Sequence, residues 1–348
     1  MDQAFLIGRV KTPIGEVPKV SSDLTLADRW GAVKARWGAG RMHFTVDPGL
    51  YALGNPHEAS PVLATANYKM SFDELRRALP GLDVWILVLD TRGINVWCAA
   101  GKGTFGTGEL VGRIQGSGLE SVVKHRKIIL PQLSGPGVAG YQVKKLSGFQ
   151  AVYGPVRAQD LPAYLSADCR ATADMRRKTF TLRERAVLVP VELVQALKPA
   201  LLVMLSFFLL SGFGASAGYR NNLGHQGPWS VLALLTALLA GSVLTPLLLP
   251  WVPGRAFSLK GWILGLASAW GFILLRGFLS ENGVHPLESL AWLLLLPAIS
   301  AYLAMNFTGA STYTSLSGVK KEMRWAVPLE IAFGSGGLIL WVAVRFVI

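Results

Sequence analysis

Apolar runs alternate with helical patterns through the first half of the chain. Four runs lack polar alternation, as strands buried on both faces do: residues 61–68, 83–90, 127–130 and 149–153. Helical patterns follow them at 71–79, around Cys98, at 138–146 and at 158–165. Strands that alternate with helices predict a parallel sheet covered on both faces, with its ligand crevice at the carboxyl ends of the strands. The predicted fold is therefore a doubly wound α/β, Rossmann-like domain.

Two capping-box patterns predict where helices begin. Residues 1–60 are punctuated by Gly and Pro, and their one helical pattern, residues 26–37, is preceded by Thr25 with Asp28 three positions later. Ser71 and Glu74 have the same spacing, which predicts that the next helix begins at Ser71.

Five long apolar segments make up the second half. They lie at residues 201–217, 229–249, 261–279, 287–305 and 326–347, and each can cross about 30 Å of hydrocarbon as a helix. We therefore predict three parts: an α/β domain over 1–168, a basic linker at the membrane surface over 169–198, and an all-α transmembrane domain over 199–348.

Basic residues predict the orientation of these spans. A cytoplasmic first domain leaves only Arg220 in the two outer loops and places the other loop cations inside: Arg255, Lys260, Lys320, Lys321 and Arg324. The sequence thus favours a multi-pass protein of the cytoplasmic membrane, with its N-terminal domain cytoplasmic, its C-terminus external and no signal peptide. Arg276 and Glu330 lie within about a turn of a segment end, which favours snorkelling over a transport path.

The composition agrees with a chain that combines a basic, water-exposed part and an apolar membrane part. With 348 residues, 51% hydrophobic residues and a mean hydropathy of +0.39, the chain is too apolar for an ordinary soluble enzyme. Most of the net charge of +13 precedes residue 199. Positive-inside bias explains that excess, and without aromatic-basic RNA signatures we expect no nucleic-acid partner. Cys98 and Cys169 form no CxxC or zinc spacing and favour a reducing compartment, with Cys169 structural or incidental.

Cys98 has the most distinctive surroundings. Asn95 is a good helix N-cap, so Cys98 falls at the third helical position, where backbone N–H groups and the helix dipole favour an anion. Four glycines allow a large flat ligand, such as a metal macrocycle, to approach the backbone: Gly93, Gly101, Gly103 and Gly106. By residue type alone, a lone cysteine beside a strand is more often a small buried hydrophobe.

Nucleotide-binding patterns fit this segment poorly. Residues 101–106 match G-x-G-x-x-G, but they begin about ten residues after the strand instead of in the tight first turn that a dinucleotide needs. The P-loop pattern fails because neither Ser nor Thr follows Lys102.

One segment resembles a known family. Eight consecutive residues resemble the cap-helix signature of the HgcA family, the corrinoid membrane proteins of microbial mercury methylation: Asn95, Val96, Trp97, Cys98, Ala99, Ala100, Gly101 and Lys102. In that family the helix lies beneath the corrin ring. The resemblance therefore implies that these residues bind a base-off, cobalamin-type corrinoid and that Cys98 is the lower axial ligand of its cobalt. The sequence lacks Asp-x-His-x-x-Gly, the motif with which many other cobalamin proteins present histidine to cobalt.

Further residues share this resemblance. Thr65, Asn67 and Ser71 resemble the polar residues with which corrinoid iron-sulfur methyl carriers hydrogen-bond the corrin periphery. Hydroxyls at strand and helix ends usually satisfy the backbone instead, and that alternative stays open for Thr65 and is favoured for Ser71. Residues 130–140 and 153–157 also resemble the family's domain, without contacts assigned to them.

The resemblance implies a methyltransferase that moves methyl from cobalt to Hg(II) and yields methylmercury. Hg(II) is an electrophile, so the methyl group must leave as a carbanion or radical, and an anionic thiolate ligand favours this by donating electron density through the metal, as cysteine does to haem iron. The family also implies a methyl-tetrahydrofolate-linked methyl donor and a ferredoxin-like protein with two iron-sulfur clusters. This chain has no iron-sulfur ligand set of its own, so an external reductant is required, and that protein is the expected one. It is also a candidate Hg(II) donor.

Two alternatives remain. The chain could be a membrane-anchored corrinoid methyl carrier for another acceptor, which an assay of methyl acceptors distinguishes. It could also be a membrane transporter or sensor with an α/β ligand-binding domain, which predicts an uncoloured purified protein.

Overall fold

A computed structural model describes residues 5–214, 218–280, 284–309, 311, 314 and 316–347. The chain divides into two compact units, Met1–Thr179 and Phe180–Ile348. The first unit contains a mixed β-sheet with helices on both faces, and the second contains long apolar helices.

The sheet of the first unit has seven strands in the order β1-β2-β3-β5-β4-β6-β7. Their bounds are β1 Leu6–Thr12, β2 Gly15–Val20, β3 Gly49–Leu53, β4 Val62–Ala66, β5 Val84–Leu89, β6 Lys127–Leu130 and β7 Gln150–Tyr153. Strands β4 to β7 are parallel to one another, as the sequence predicts. Their carboxyl ends therefore share one edge of the sheet.

Helices cover both faces of this sheet. They are α1 Leu26–Arg36, α2 Lys69–Arg77, α3 Val96–Lys102, α4 Thr107–Gly116, α5 Leu119–Val122, α6 Gly140–Ser147 and α7 Leu161–Ser166. Apolar residues of α3, α4 and α6 pack with one face of the sheet, and those of α2 and α7 pack with the other. The two cores match the two-sided covering that the apolar strands predict.

The sheet is not parallel throughout, because three strands extend it beyond the predicted set. Strands β1 and β2 form an antiparallel hairpin, β2 lies parallel to β3, and β3 lies antiparallel to β5. Two of the three lie in the segment before residue 26, for which the sequence predicts no element. The additional strands leave the parallel arrangement at the predicted crevice unchanged.

One capping-box prediction is confirmed and the other is wrong. Thr25 Oγ1 accepts from the Asp28 N–H at 3.1 Å, and the Thr25 N–H donates to Asp28 Oδ2 at 3.0 Å. Ser71 does not cap α2, since that helix begins at Lys69 with Tyr68 as its N-cap. The Lys69 N–H is already satisfied by the Phe44 carbonyl at 2.9 Å, which allows the helix to begin two residues earlier.

A buried ion network joins α1 to α2. Asp28 accepts from Lys69 Nζ at 2.6 Å and from Arg76 Nη2 at 2.8 Å, and Asp73 accepts from the same two side chains. The fully buried guanidinium of Arg76 also donates to the carbonyls of Ser21 and Asp23. Burial raises the pKa of the Asp28 carboxyl, but hydrogen bonds and charge, chiefly from Lys69, outweigh burial and lower that pKa to about 2.

This network should make the first unit sensitive to acid. A carboxyl whose folded pKa lies below its unfolded value of about 3.9 stabilises the fold above that value, and the stabilisation is lost as the pH falls towards 2. We expect Asp28→Asn to lower the free energy of unfolding by about 2 kcal/mol at neutral pH. Its melting temperature, measured on the full chain in detergent, should also fall less steeply with acid than that of the unsubstituted protein. Asp174→Asn, at an exposed position, is the matched control. If the melting temperatures of both variants fall equally with acid, Asp28 is not the source of the acid sensitivity.

Within the described part of the second unit, five helices have the length and composition that suit membrane spans. Their bounds are α8 Leu182–Leu210, α9 Tyr219–Leu239 continuing through a π-turn into α10 Thr245–Leu248, α11 Phe257–Leu279, α12 Pro286–Asn306 and α13 Leu316–Val347. Each predicted segment falls on one of them, although the predicted first span ends at residue 217, outside the described residues. Helix α8 begins inside the predicted linker, where Thr181 and Glu184 form a capping box.

The snorkelling predicted for Arg276 and Glu330 is wrong. Arg276 is buried and donates from Nη1 to Glu288 Oε1 at 2.5 Å, and Arg345 Nη2 reaches the same oxygen at 3.2 Å. Glu330 is also buried, well inside α13, and its carboxylate oxygens have no hydrogen-bond partner among the described residues. Helix α13 begins ten residues before the predicted segment, so Glu330 lies in its interior. Arg276 does lie in the last turn of α11, but its ion pair with Glu288 keeps it buried.

Candidate functional site

Helix α3 is held at both ends by residues that favour its short length. Asn95 adopts an extended conformation and its Oδ1 accepts from the Cys98 N–H at 2.9 Å, as the sequence predicts for an N-cap. Gly103 ends the helix in the left-handed region at φ 80°, where a side chain would be strained. Cys98 is therefore fixed in the first turn of a seven-residue helix.

The two faces of α3 differ sharply. Ala99 and Ala100 are fully buried in the core that also contains Ala64 and Ala66 of β4. At 3.6 residues per turn, Cys98, Gly101 and Lys102 lie together on the opposite face, and Cys98 is half-buried while the other two are exposed. The thiol thus lies on an outer surface beside Gly101, which has no side chain, and beside the exposed Lys102 at the end of the helix.

Half-buried residues complete the helix. Val96 packs partly against the same core as Ala99, and Trp97 is also half-buried. All eight residues of the predicted cap-helix segment therefore lie together, from Asn95 at its start to Lys102 at its end.

Asn67 positions the loop that leads into α3. Its Oδ1 accepts from the N–H groups of Thr91 and Gly93 at 3.1 and 3.0 Å and lies 2.8 Å from the Thr91 hydroxyl. Its Nδ2 donates to Asp90 Oδ1 at 3.2 Å. The side chain that resembles a corrin-binding group is thus used within the protein, where it joins the end of β4 to the loop after β5.

Gly137 allows a second loop to approach α3 closely. A Cβ at this position would lie 2.2 Å from the Phe105 carbonyl oxygen and 2.9 Å from Ala100 Cα, both of them backbone atoms that cannot move cheaply. The Thr107 N–H donates to the Gly137 carbonyl at 3.2 Å, which joins the same two segments. The sequence places this loop at the crevice but does not predict its contact with the cap helix.

The two segments that resemble the family without assigned contacts meet beside this loop. The Tyr153 hydroxyl, at the carboxyl end of β7, donates to the Val138 carbonyl at 2.5 Å. Burial raises the pKa of Tyr153, so the hydroxyl stays a donor at neutral pH.

Thr65 and Ser71 are placed apart from the thiol face. Side chains alternate along β4, and Leu63 belongs to the core on the α2 face, so Thr65 shares that side while Ala64 and Ala66 lie on the α3 face. Ser71 is half-buried in the first turn of α2. The structure brings the cap-helix residues together but does not bring these two hydroxyls to Cys98.

The outer face of α3 has a form that suits a flat metal macrocycle. A Cβ built on Gly101 or Gly103 meets no atom within 4 Å, so the backbone there is open to close approach. Cys98 and Cys169 are both free thiols. Within the described residues, no group of three or more His, Cys, Asp or Glu side chains could hold a metal ion. A single thiol on an open face fits a metal whose equatorial ligands come from its own macrocycle.

Known proteins match the part of the chain that contains this site. A family model described as CO dehydrogenase/acetyl-CoA synthase delta subunit matches residues 37–165. Acetyl-CoA decarbonylase/synthase complex subunit gamma from Methanopyrus kandleri is 34% identical over 126 residues, which cover 35% of this chain and 27% of the relative.

Two further relatives carry the same name. The subunit from Methanothermobacter thermautotrophicus is 31% identical over 122 residues, covering 34% of this chain and 26% of its own. The subunit from Methanocaldococcus jannaschii is 37% identical over 91 residues, covering 26% and 19%. The chain thus spans about a quarter or less of the length of these curated relatives. The match to the family model lies within the α/β domain.

Proposed function

We propose that this chain is a membrane-bound, corrinoid-dependent methyltransferase that transfers a methyl group to Hg(II). One observation carries the proposal: Cys98 lies beside exposed Gly101 on the outer face of a helix whose sequence resembles the HgcA cap helix. The similarity of residues 37–165 to subunits of acetyl-CoA decarbonylase/synthase complexes supports chemistry on a one-carbon group as the general class.

The residues of α3 would hold the cofactor in distinct ways. When bound, the corrinoid supplies a cobalt-borne methyl group for transfer. Cys98 would be the lower cobalt ligand, with the nucleotide base of the corrinoid displaced. Asn95 fixes the turn that carries Cys98, and Gly101 and Gly103 leave room for the ring. Thr65 and Ser71 remain proposed contacts to the corrin periphery.

Charge explains why a cysteine would be needed here. Hg(II) is an electrophile and accepts a methyl group together with bonding electrons. An anionic sulfur donates more electron density to a metal than a neutral imidazole does, so Cys98 favours release of methyl towards an electrophile. Cys98 would thus act both as the anchor of the cofactor and as the group that sets its reactivity.

The proposed setting follows from the second unit and from the resemblance. We propose that the five helices cross the cytoplasmic membrane with the first unit in the cytoplasm. A ferredoxin-like protein with two iron-sulfur clusters would supply electrons and is a candidate Hg(II) donor. A methyl-tetrahydrofolate-linked system would supply the methyl group.

The visible spectrum of protein purified without oxygen tests this proposal. We expect corrin absorbance with the signature of a displaced nucleotide base, and methylmercury on addition of methyl donor, reductant and Hg(II). Protein that stays uncoloured after anaerobic reconstitution would contradict the proposal and favour a transporter or sensor. A coloured protein that methylates other acceptors but not Hg(II) would favour a carrier.

We further expect residues 1–179 to fold and bind corrinoid alone. The α/β unit ends at Thr179 and contains the complete sheet and both of its cores. Anaerobic titration of the fragment with a corrinoid, compared with the full chain, measures this. A folded fragment that binds none where the full chain binds would show that the helices complete the site.

A further inference from the structure

Helix α1 buries its acidic residue and exposes its large apolar side chains, the reverse of an ordinary surface helix. Its buried face carries Asp28, which is held in the ion network with Lys69 and Arg76. The other residues on this side are small: Ala35 is fully buried, and a Cβ on Gly31 would lie 2.7 Å from the Phe44 ring. The helix is therefore fixed to the protein by charge and close backbone approach instead of by large apolar side chains.

Large apolar side chains occupy the opposite face. Leu26, Trp30 and Val33 are spaced as i, i+4 and i+7, and Trp37 continues the series as the residue after the helix. Leu26 is 83% exposed, Trp30 60% and Trp37 51%. Met42, in the turn Arg41–His43 that follows, is exposed as well. We call Leu26, Trp30, Val33 and Trp37 the α1 stripe.

Basic residues lie on both sides of the α1 stripe. By helical periodicity, Arg29 and Arg36 lie along one edge and Lys34 along the other, with Lys34 Nζ 5.8 Å from the centroid of the Trp30 ring. The one acid of the helix, Asp28, is buried and neutralised by its partners. The outward surface of α1 is thus apolar along its centre and positive along its edges.

We propose that the α1 stripe docks onto the headgroup region of an anionic lipid bilayer. An apolar stripe with tryptophans, bordered by Lys and Arg, is the pattern of helices that lie in the plane of a membrane interface. Each basic residue near an anionic leaflet adds electrostatic attraction, and the tryptophans add buried apolar area. Among the residues that the structure describes, five helices suit membrane spans, and the membrane that we propose for them would supply the lipid surface.

This docking would bear directly on the candidate site. The turn that follows α1 contacts the loop before α3, since a Cβ on Gly93 would lie only 2.8 Å from the Met42 carbonyl oxygen. The next residues of the same segment are fixed to the connection between β4 and α2, because the Phe44 carbonyl accepts from the Lys69 N–H and the Val46 N–H donates to the Asn67 carbonyl. A bilayer bound at the α1 stripe therefore lies close to the segment that leads to Cys98.

Photocrosslinking from lipid tests the docking in the full chain. We would reconstitute the protein in nanodiscs of phosphatidylcholine and phosphatidylglycerol that contain a photoactivatable lipid, and map adducts by mass spectrometry. Adducts are expected within residues 24–43. The double variant Trp30→Gln/Trp37→Gln should reduce them by about tenfold or more, because two large side chains lose their gain from burial.

Matched controls separate docking from chance contact. Tyr141→Gln/Leu146→Gln removes two exposed apolar side chains of α6 in the same unit and should leave the adducts unchanged. Adducts on the apolar helices provide the internal reference in every sample. Absence of adducts in residues 24–43, or equal adducts in the Trp30/Trp37 variant, would overturn the proposal. So would protection of the α1 stripe only on addition of an iron-sulfur protein or at high protein concentration, which would assign it to a protein partner.

Discussion

Replacing Cys98 with alanine is expected to abolish Hg(II) methylation without unfolding the first unit. Cys98 lies on the outer face of α3, and its contact with Asn95 is made by its backbone N–H, which alanine retains. The free energy of unfolding should therefore change by less than about 0.5 kcal/mol. Corrinoid content, methylmercury yield and thermal unfolding would be measured on the same preparation.

Cys98→His separates ligation from electron donation. Imidazole can bind cobalt, so the variant should retain corrinoid, but it lacks the negative charge that favours transfer to an electrophile. We expect a loss of methylmercury formation of at least about a hundredfold, equivalent to about 2.7 kcal/mol in the barrier. Near-normal turnover with histidine-ligated cobalt would refute the electronic role and leave Cys98 as an anchor. Cys169→Ala is the control, because that thiol is also free and half-buried, and it should keep full activity.

The strands around the site were predictable because each one is an apolar run that ends at a turn signal. Strands β5 and β6 match the predicted ranges closely, and β4 lies within its predicted run. Strand β3 was not predictable in this way, since its place in the sheet depends on antiparallel pairing with β5, which is more than thirty residues away. Local periodicity carries no information about such a partner.

The cap helix was predictable for a similar reason, whereas its support was not. Asn95 and Gly103 cap the two ends of one short helix, so the boundaries of α3 and the position of Cys98 in its first turn follow from capping rules. Asn67 acts across more than twenty residues on Thr91 and Gly93, and no spacing rule identifies it. The opposite error occurred at Ser71, where the local capping-box pattern was present but did not decide the helix start. The Lys69 N–H is bonded by the distant Phe44 carbonyl, so α2 begins before Ser71.

The face of β4 could have been inferred more fully from the sequence. Strict alternation places Ala64 and Ala66 on one side and Thr65 on the other. Small residues on the α3 side let that helix lie close to the sheet, and this indicates that Thr65 faces away from the thiol. Alternation identifies the two sides of a buried strand, but only the packed helices show which side carries the chemistry.

Gly101→Leu should abolish corrinoid binding while leaving the first unit as stable as before, or more stable. A Cβ at Gly101 meets no atom within 4 Å, and leucine is a better helix former than glycine by up to about 1 kcal/mol. The new side chain would stand on the outer face beside Cys98, where a flat ring must approach. We expect the dissociation constant for corrinoid to rise more than about tenfold, measured by anaerobic titration. Gly112→Leu on α4 is matched, since Gly112 is also exposed, helical and without neighbours, and it should not affect binding. Unchanged affinity in Gly101→Leu would mean that the ring does not lie on this face, and Cys98 would then lose its proposed place beneath it.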